Sequence, residues 1–419
     1  MRENGQLQVC VVGAGMRFLS GISYYTHYLV HALAGSYEVS VILMRQLLPT
    51  RFYPGQKRVG ASLTRLKYDP AVRVFDGVDW YWLPSMLRSL AFLTREHSDV
   101  IVFQWWSGTV LHSYLLLALV ARLLGARVVI EFHEVLDPGE AKLPLARAYV
   151  RLVAPLMVYL AHGFVIHSEY DSTLLQEHYD LGKRHVALIP HGPYNHYQLN
   201  NREQGHRTAP EACCNLLFFG VIRPFKGLED LIMAFDALPE NEIAGYWLTI
   251  VGETWEGWTV PTNLIKQSRY HDRITFVNRY VSDGEVTQFF AGANAVVLPY
   301  HRSSMSGPLH IAMSCGLPVV VTRVGGLVEA VANYDGAILV PPGDSAALQS
   351  ALLRVAKLRG KRYTDPHSWK RTAAGYQALF DALCSSSSSV SPKPMGCLLF
   401  RHARQRRIPR PQARDADRG

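Results

Sequence analysis

Short apolar runs alternate with helix-length amphipathic segments along most of the chain. In the first half, runs of β-branched residues predict six buried strands at Leu7–Val12, Val39–Leu43, Val100–Phe103, Val128–Phe132, Phe164–His167 and Val186–Ile189. The longer segments between them predict helices at Ile22–Leu33, Thr109–Leu124 and Pro144–Ala161. Strands and helices that alternate in this way predict a parallel sheet covered by helices on both faces.

The second half repeats this pattern. Its apolar runs predict six strands at Asn215–Phe219, Tyr246–Val251, Arg273–Val277, Ala295–Leu298, Pro318–Thr322 and Ala337–Val340. Helices are expected at Leu228–Leu238, Ser282–Gly292, Gly307–Cys315, Leu327–Ala332 and Ser345–Leu358. Ser282 and Glu285 have the spacing of a capping box, and Asp344 stands at an N-cap position. The expected fold class is α/β, with two doubly wound Rossmann-like domains that face a cleft.

The pattern divides the chain at two polar segments. Residues 1–198 form the predicted first domain, 199–214 a polar linker and 215–366 the second domain, while 385–419 form a tail rich in serine, proline and arginine. From residue 387 the tail carries eight basic and two acidic residues, so it holds +6 of the net charge of +9. Such a composition predicts a disordered tail that can touch a membrane. No nucleic-acid partner is expected.

Other whole-chain features exclude several classes of protein. No apolar run reaches the ~18 residues needed to span a bilayer, and the N-terminus lacks the layout of a signal peptide. Six scattered cysteines without a Cys-x-x-Cys pair indicate neither a zinc knuckle nor a disulfide frame. We expect a cytoplasmic protein, with peripheral contact with the inner face of the membrane left open.

Three loops of the second half have the chemistry of a phosphate site. Ser306, Gly307 and Pro308 suit a helix N-terminus, which attracts anions through its unpaired N–H groups. Arg223 and Lys226 lie between a strand and the next helix, and two cations there suit a diphosphate. Gly325-Gly326 occupies a third strand-to-helix loop. The alternatives are a plain helix cap and surface salt bridges.

The second half resembles the nucleotide-sugar domain of the family 4 glycosyltransferases, which are retaining enzymes of the GT-B fold. The residues that carry this resemblance are Gly220…Lys226-Gly227, Leu298-Pro299-Tyr300, Gly316-Leu317-Pro318-Val319-Val320 and Gly325-Gly326…Glu329. The resemblance implies a nucleoside-diphosphate sugar as donor, with no cofactor and no essential metal. The implied donor-binding residues are Gly21, Arg223, Lys226, Gly252, Tyr280, Ser304, Met305, Ser306, Gly307 and Pro308. The acceptor can be a glycan, a lipid or a small molecule.

The first half and the C-terminal region carry weaker parts of the same resemblance. Ser20-Gly21 is similar to the family's glycine loop, and the strand Ile130–Glu134 ends like the strand that carries the family's active-site histidine, here His133. Residues 367–384 resemble the helix that crosses back to the first domain. The resemblance thus implies His133, Arg223 and Lys226 as catalytic residues. It also implies front-face transfer, in which the donor phosphate helps deprotonate the acceptor.

The chain departs from the family pattern at the donor loop. The family has two glutamates eight positions apart, and Ser303 and Ile311 stand at those positions. Arg223 also lies two places after the family's common arginine, whose position is Val221. A catalytically silent sugar-nucleotide binder or partner subunit is therefore an alternative.

Three further patterns bear on function. Gly13-x-Gly15 after the first strand is part of a dinucleotide-binding fingerprint, but Phe18 replaces the third glycine. The segment Lys142–Ala161 is either a membrane-surface helix or an ordinary amphipathic helix. Leu47–Val72 and Val78–Arg95 are interpreted as acceptor loops.

Overall fold

The structure is a computed structural model that describes residues 6–18, 20–46, 64, 66–79, 81–135, 144–197, 209–255 and 257–385. Residues 199–208 of the predicted linker and 386–419 of the predicted tail lie outside these ranges, so those two predictions stay predictions. Ser385, assigned to the tail from the sequence, is the last residue of a helix.

The first half folds around a sheet of seven parallel strands in the order β3-β2-β1-β4-β5-β6-β7. The strands are β1 Gln8–Ala14, β2 Glu38–Gln46, β3 Arg73–Asp79, β4 Val100–Trp105, β5 Arg127–Phe132, β6 Gly163–Ile166 and β7 His185–Leu188. The helices are α1 Gly21–Ala34, α2 Leu83–Glu96, α3 Leu111–Leu123, α4 Pro144–Leu160 and α5 Glu169–His178. Strand order reverses at β1, where α/β sheets open a binding crevice.

Helices cover both faces of this sheet. Helix α1 leads from β1 to β2, whereas α2, α3, α4 and α5 connect strands in the opposite direction across the sheet. Right-handed crossovers therefore place α1 on one face and the other four on the opposite face. The two apolar cores agree, because Leu29 of α1 and Leu117 of α3 belong to separate clusters.

The second half folds around six parallel strands in the order β10-β9-β8-β11-β12-β13. The strands are β8 Cys214–Phe219, β9 Tyr246–Val251, β10 Ile274–Val277, β11 Ala295–Leu298, β12 Val319–Thr322 and β13 Ala337–Val340. The helices are α6 Leu228–Asp236, α7 Val260–Gln267, α8 Asp283–Ala291, α9 Gly307–Ser314, α10 Leu327–Ala330 and α11 Ser345–Ala356. The predicted capping box of α8 and the Asp344 cap of α11 are present.

The last helix, α12, spans Trp369–Ser385 and packs on the first sheet. Its Tyr376, Leu379 and Phe380 are buried in the same apolar cluster as Val129 of β5. Thr372 Oγ1 donates to the Pro190 carbonyl oxygen at 2.8 Å. The predicted return of a C-terminal helix to the first domain is thus confirmed, and so is the α/β fold class.

The sequence-based assignment missed four elements: β3, α2, α5 and α7. Most of Val78–Arg95, interpreted as an acceptor loop, is the end of β3 and helix α2, so that interpretation is wrong. Helix α2 was missed because its exposed side carries Leu83 and Leu87, which breaks the usual pattern of an outward polar face. Most of Leu47–Val72 lies outside the described residues. Within the described part of the chain, no helix combines the length and hydropathy needed to cross a bilayer.

Candidate active site

Two helix N-termini, one from each domain, meet at Tyr194. Helix α1 begins at Gly21 and helix α9 at Gly307. Tyr194 Oη donates to the Gly21 carbonyl oxygen at 3.0 Å. A Cβ added to Gly307 would lie 3.8 Å from Tyr194 Oη. Ser306 Oγ caps α9 by accepting the Leu309 N–H at 3.3 Å. The positive ends of two helix dipoles therefore lie on either side of one hydroxyl group.

Glycines let the ends of β8 and β9 approach helix α9. Gly220 has φ +126°, and a Cβ there would lie 3.4 Å from Pro308 Cγ. Gly252 has φ +157°, and a Cβ there would overlap the Gly220 carbonyl oxygen. Both positions therefore require glycine. This packing brings four predicted donor-binding positions together: Gly252, Ser306, Gly307 and Pro308.

Lys226 is a partly buried cation that lies on an aromatic ring. Its Nζ lies 3.7 Å from the centroid of Tyr300, and no carboxylate of the described residues forms an ion pair with it. Burial lowers the pKa of Lys226 to about 7, with Glu134 opposing this change and Arg223 adding to it. Arg223 lies over Phe225, with its guanidinium carbon 5.1 Å from the ring centroid. Because burial disfavours the charged form of the lysine, a bound anion would stabilise that charged form.

A salt bridge crosses the cleft beside these cations. Arg302 Nη2 of the second domain lies 3.2 Å from Glu134 Oε1 of the first domain. Glu134 follows His133 directly, so the bridge connects the histidine's loop to the loop after β11. Both partners are partly exposed, and their direct contribution to stability is small.

His133 belongs to a buried group around Glu131. His133 Nε2 lies 3.5 Å and His167 Nε2 3.3 Å from Glu131 Oε1, while Gln104 donates to Glu131 Oε2 at 3.0 Å. Burial alone would raise the pKa of Glu131, but the two histidines hold that pKa well below its usual range. Burial lowers the pKa of His133, whereas contact with Glu131 raises the pKa of His167 above its usual value despite burial. The contact between Glu131 and His167 therefore favours the charged forms of both side chains, whereas burial favours the neutral form of His133.

The same three side chains have the spacing of a metal site. Their ligand atoms lie within 4.8 Å of one another, and two imidazoles with one carboxylate suit several divalent transition metals. Glu131 Oε1, His133 Nε2 and His167 Nε2 are buried, and none of the three has a hydrogen-bond partner among the described residues. The sequence-based expectation of no essential metal stays a prediction.

Tyr280 lies with a group of phenols that joins the two domains. The hydroxyls of Tyr24 in α1 and Tyr197 both donate to the carboxylate of Asp283, at 3.0 Å for Tyr197. Burial raises the pKa of Tyr24 above its usual value, and Tyr280 and Asp283 raise it further. Asp283 thus joins Tyr24 of α1 to the start of α8, and Tyr280 acts on Tyr24 electrostatically.

The loop with Gly325-Gly326 packs against protein backbone. A Cβ on Gly325 would overlap the Ser303 carbonyl oxygen, and one on Gly326 would lie 3.0 Å from Ser168 Oγ of the first domain. These contacts explain both glycines by close packing and do not support a third phosphate loop. Glu329, three residues later, accepts the N–H groups of Glu169 at 2.7 Å and Tyr170 at 3.0 Å. It thus caps α5 across the cleft.

Ser304 and Met305 lie close to residues of the first domain. Burial raises the pKa of Asp171 in the first domain, while the hydroxyls of Ser168 and Ser304 lower it. Met305 lines a cavity of about 190 Å³ that also involves His191 and His310. Neither Arg223 nor Lys226 lines this cavity.

No carboxylate replaces the two missing glutamates at their own positions. Ile311 is buried, and Ser303 Oγ donates to the Met305 carbonyl oxygen at 2.7 Å. Sequence reasoning also missed Glu131, Glu134, Arg302 and Tyr194. Glu131 and Glu134 flank His133 in the chain, so their position beside a candidate catalytic residue was the signal that could have found them.

Gly13, near the end of β1, has a structural role. A Cβ on Gly13 would lie 2.7 Å from Thr26 Oγ1 and would also overlap the Gln104 side chain. Gly13 therefore allows α1 to pack closely on β1 and β4. This contact accounts for Gly13 without a dinucleotide.

Comparison with known sequences agrees with this geometry. A family profile described as Glycosyltransferase Family 4 matches residues 19–193, and one described as Glycosyl transferases group 1 matches residues 213–357. The two profiles cover the two halves of the site. The chain belongs to the family 4 glycosyltransferases.

Relatives of this glycosyltransferase align with different shares of the chain. A glycogen synthase of Mycobacterium tuberculosis is 30% identical over 202 residues, which are 45% of this chain and 46% of that protein. The chain thus spans about half the length of that relative. A D-inositol 3-phosphate glycosyltransferase of Segniliparus rotundus is 25% identical over 340 residues, 74% of this chain and 73% of that protein.

A solved structure supports the fold. The catalytic domain of starch synthase IV from Arabidopsis thaliana, bound to ADP and acarbose, superposes with a TM-score of 0.64 at 13% identity. The match covers 91% of this chain and 100% of that one. The predicted GT-B architecture is therefore confirmed.

Proposed function

We propose that the protein is a retaining glycosyltransferase that moves a sugar from a nucleoside-diphosphate sugar to an acceptor held by the first domain. The observation that carries the proposal is Lys226. It is a partly buried cation with a lowered pKa, beside Arg223 and close to the loop that packs on helix α9. Membership of family 4 supports the reaction class, and the ADP bound to the Arabidopsis enzyme supports a nucleoside diphosphate.

The proposed chemistry uses the positive charge of the site. As the bond between the sugar C1 and the diphosphate oxygen breaks, negative charge grows on the diphosphate. Arg223, Lys226 and the N–H groups at the start of α9 stabilise that charge, and each preorganised donor is worth a few kcal/mol. The acceptor oxygen bonds to C1 on the same face, and its proton passes to the leaving phosphate oxygen. No step needs a cofactor or a metal ion.

His133 has a separate role in this proposal. Glu131 and His167 fix its position at the end of β5, and the neutral ring can accept or donate a hydrogen bond to the sugar or the acceptor. The Arg302–Glu134 bridge and the Glu329 cap hold the two domains together around the donor. A closed cleft excludes water that would otherwise hydrolyse the sugar nucleotide.

The first experiment measures nucleotide binding by thermal shift with UDP, GDP, ADP, CMP and NAD. A ligand at about 100 times its Kd stabilises the protein by about 2.7 kcal/mol, which is readily seen. The test variant is Arg223→Ala with Lys226→Ala. Arg354→Ala with Lys357→Ala is a control with the same loss of charge at the C-terminal end of helix α11. A shift with one diphosphate that only the test variant loses supports the proposal. No shift with any diphosphate contradicts it, and a shift with NAD alone favours a dinucleotide enzyme.

The second candidate is a catalytically silent sugar-nucleotide binder or partner subunit. The observation that favours it is the serine and buried isoleucine at positions 303 and 311, where the family has glutamates. Turnover separates the two candidates. The silent binder is established if a diphosphate binds but no sugar is transferred from its sugar nucleotides to any acceptor of a broad panel, and the sugar nucleotides are not hydrolysed.

A further inference from the structure

Three helices of the first domain expose large apolar side chains. Helices α2, α3 and α4 with their flanking residues hold eleven of the seventeen exposed large hydrophobic side chains of the described residues. The most exposed are Leu145 at 87%, Leu123 at 78% and Leu152 at 72%. We call this set the leucine face: Trp82, Leu83, Leu87, Leu116, Leu119, Leu123, Leu124, Leu145, Leu152, Leu156 and Tyr159.

The spacing of these residues follows the helical repeat on the solvent side. In α4, Leu145, Leu152, Leu156 and Tyr159 are spaced by seven, four and three residues, so they lie along one side of the helix. The opposite side is also apolar and packs inward, with Met157 among the buried residues. A surface helix normally presents polar residues outward, and an apolar outer side indicates a second partner.

The leucine face is continuous rather than scattered. Helix α3 packs against both α2 and α4, and right-handed crossovers place all three on the same face of the first sheet. In the second domain the exposed large hydrophobic side chains among the described residues are two, Met233 of α6 and Val260 of α7. Isolated apolar residues of that kind are ordinary on a protein surface, whereas a contiguous group marks a binding surface.

The charges on these helices indicate the kind of partner. The helices carry five arginines, Arg88, Arg95, Arg122, Arg147 and Arg151, and a single acidic residue, Glu96. Glu96 is already hydrogen bonded to Arg73. A second copy of the chain would bring arginines against arginines, because a twofold interface pairs the same patch with itself. An apolar surface rimmed by arginine matches an anionic lipid surface.

The position of α4 relates this face to the reaction. Helix α4 follows β5, at whose carboxyl end His133 lies, so α4 begins on the cleft side of the domain. Its first turns carry Leu145, Arg147 and Arg151, all exposed. A bilayer in contact with these turns would lie at the same edge of the domain as His133.

We propose that the leucine face docks on an anionic bilayer and that the acceptor is carried by a lipid of that bilayer. The lipid-borne acceptor rests on the proposed function, whereas the docking on a bilayer does not. The apolar side chains enter the boundary between headgroups and acyl chains, and the arginines pair with lipid phosphates. Binding is peripheral.

Vesicle cosedimentation of the full chain tests the docking. The probes are phosphatidylcholine vesicles with and without phosphatidylglycerol, at low and high salt. We expect binding only with phosphatidylglycerol, weakened by salt. Leu145→Glu with Leu152→Glu should lower the partition coefficient at least about tenfold, because each substitution removes the favourable transfer of a leucine side chain from water into the membrane. Arg147→Glu with Arg151→Glu should lower it at least about 25-fold, since each basic residue near the surface contributes roughly fivefold.

Matched controls separate this face from the tail and from general surface charge. Met233→Glu removes an exposed hydrophobic side chain from the other domain, and Arg354→Glu with Lys357→Glu reverses the same number of charges there. Both controls should bind vesicles like the wild type. Test variants that bind like the wild type would assign the binding to the basic tail and overturn the proposal. The proposal would also be overturned if sedimentation velocity showed that the wild type self-associates and that Leu145→Glu with Leu152→Glu abolishes this association.

The two proposals fail separately. Nucleotide thermal shifts are measured on the same variants, whose substituted residues are exposed and are not among the proposed donor-binding residues. If vesicle binding is absent while a diphosphate still stabilises the protein, docking fails and the proposed function stands. If vesicle binding has the expected pattern but no diphosphate binds, the glycosyltransferase proposal fails and the docking surface stands. Transfer to a water-soluble acceptor alone, unaffected by vesicles, refutes the lipid acceptor.

Discussion

The pKa of Lys226 predicts a pH dependence of nucleotide binding. Burial lowers that pKa to about 7 in the free protein. A bound diphosphate places negative charge beside the ammonium group, so the pKa rises in the complex. Binding then takes up a proton as the pH exceeds 7. With half of the lysine charged at pH 7 and about one part in a hundred at pH 9, the Kd should rise roughly 50-fold over this range. The diphosphate itself is fully ionised above pH 7, so it does not reverse the trend.

Two substitutions isolate this effect, and isothermal titration with UDP and ADP at pH 7, 8 and 9 measures it. Lys226→Met keeps the length of the side chain and removes the charge, so binding should weaken by about tenfold or more at pH 7 and lose its slope. Lys226→Arg keeps the charge at every pH tested, so binding should persist with little slope. A wild-type Kd that is constant from pH 7 to 9, or an equal slope in Lys226→Met, would refute the reasoning.

Stability provides the control for unfolding. The folded protein lowers the pKa of Lys226 from 10.5 to about 7, so between these values the unfolded chain binds more protons. Stability attributable to this group therefore rises with pH through that window. Replacing the lysine with methionine removes this penalty near pH 7, and we expect the variant to gain on the order of a few kcal/mol. Weaker nucleotide binding in a more stable protein cannot result from unfolding.

Three further predictions concern the rest of the site. Glu131→Gln should lower the free energy of unfolding by about 3 kcal/mol, because it leaves the charge of His167 buried without its partner. The pKa of Glu131 is lowered and that of His167 is raised, so the pair stabilises the fold most between their ordinary pKa values of 4.5 and 6.5. The loss of unfolding free energy measured in urea titrations should therefore be largest in that range and smaller at pH 3 and pH 8. An equal loss at every pH would exclude the ion pair. Glu329→Gln weakens the cap of α5 across the cleft. Small-angle scattering should then show a more open molecule, and KM for the donor should rise several-fold. Unchanged scattering and KM would mean that this contact does not hold the cleft closed. Dialysis against EDTA should leave transfer unchanged, and a loss restored by one divalent metal would make Glu131, His133 and His167 a metal site.

The sequence predicted the two sheets because their evidence is local. A buried parallel strand must be apolar on both faces, so runs such as Val39–Leu43 and Ala295–Leu298 identify strands without knowledge of their neighbours. Helix caps are equally local, since Ser306 and Asp344 bond to N–H groups within three residues. Helix α2 escaped prediction because its exposed side carries Leu83 and Leu87 beside Arg88 and Arg95. Helix α2 belongs to the leucine face, which we propose contacts a membrane rather than water alone.

The sequence by itself determined the fold, the order of most elements and the loops that carry Arg223, Lys226 and Gly307. Only the tertiary structure decided which distant groups meet: Tyr194 between two helix N-termini, Glu131 against two histidines, and Glu134 against Arg302. Lys226 is identifiable as a lysine in a loop from the sequence alone. Its lowered pKa arises from burial by side chains far apart in the chain, and burial depends on the packing of whole domains.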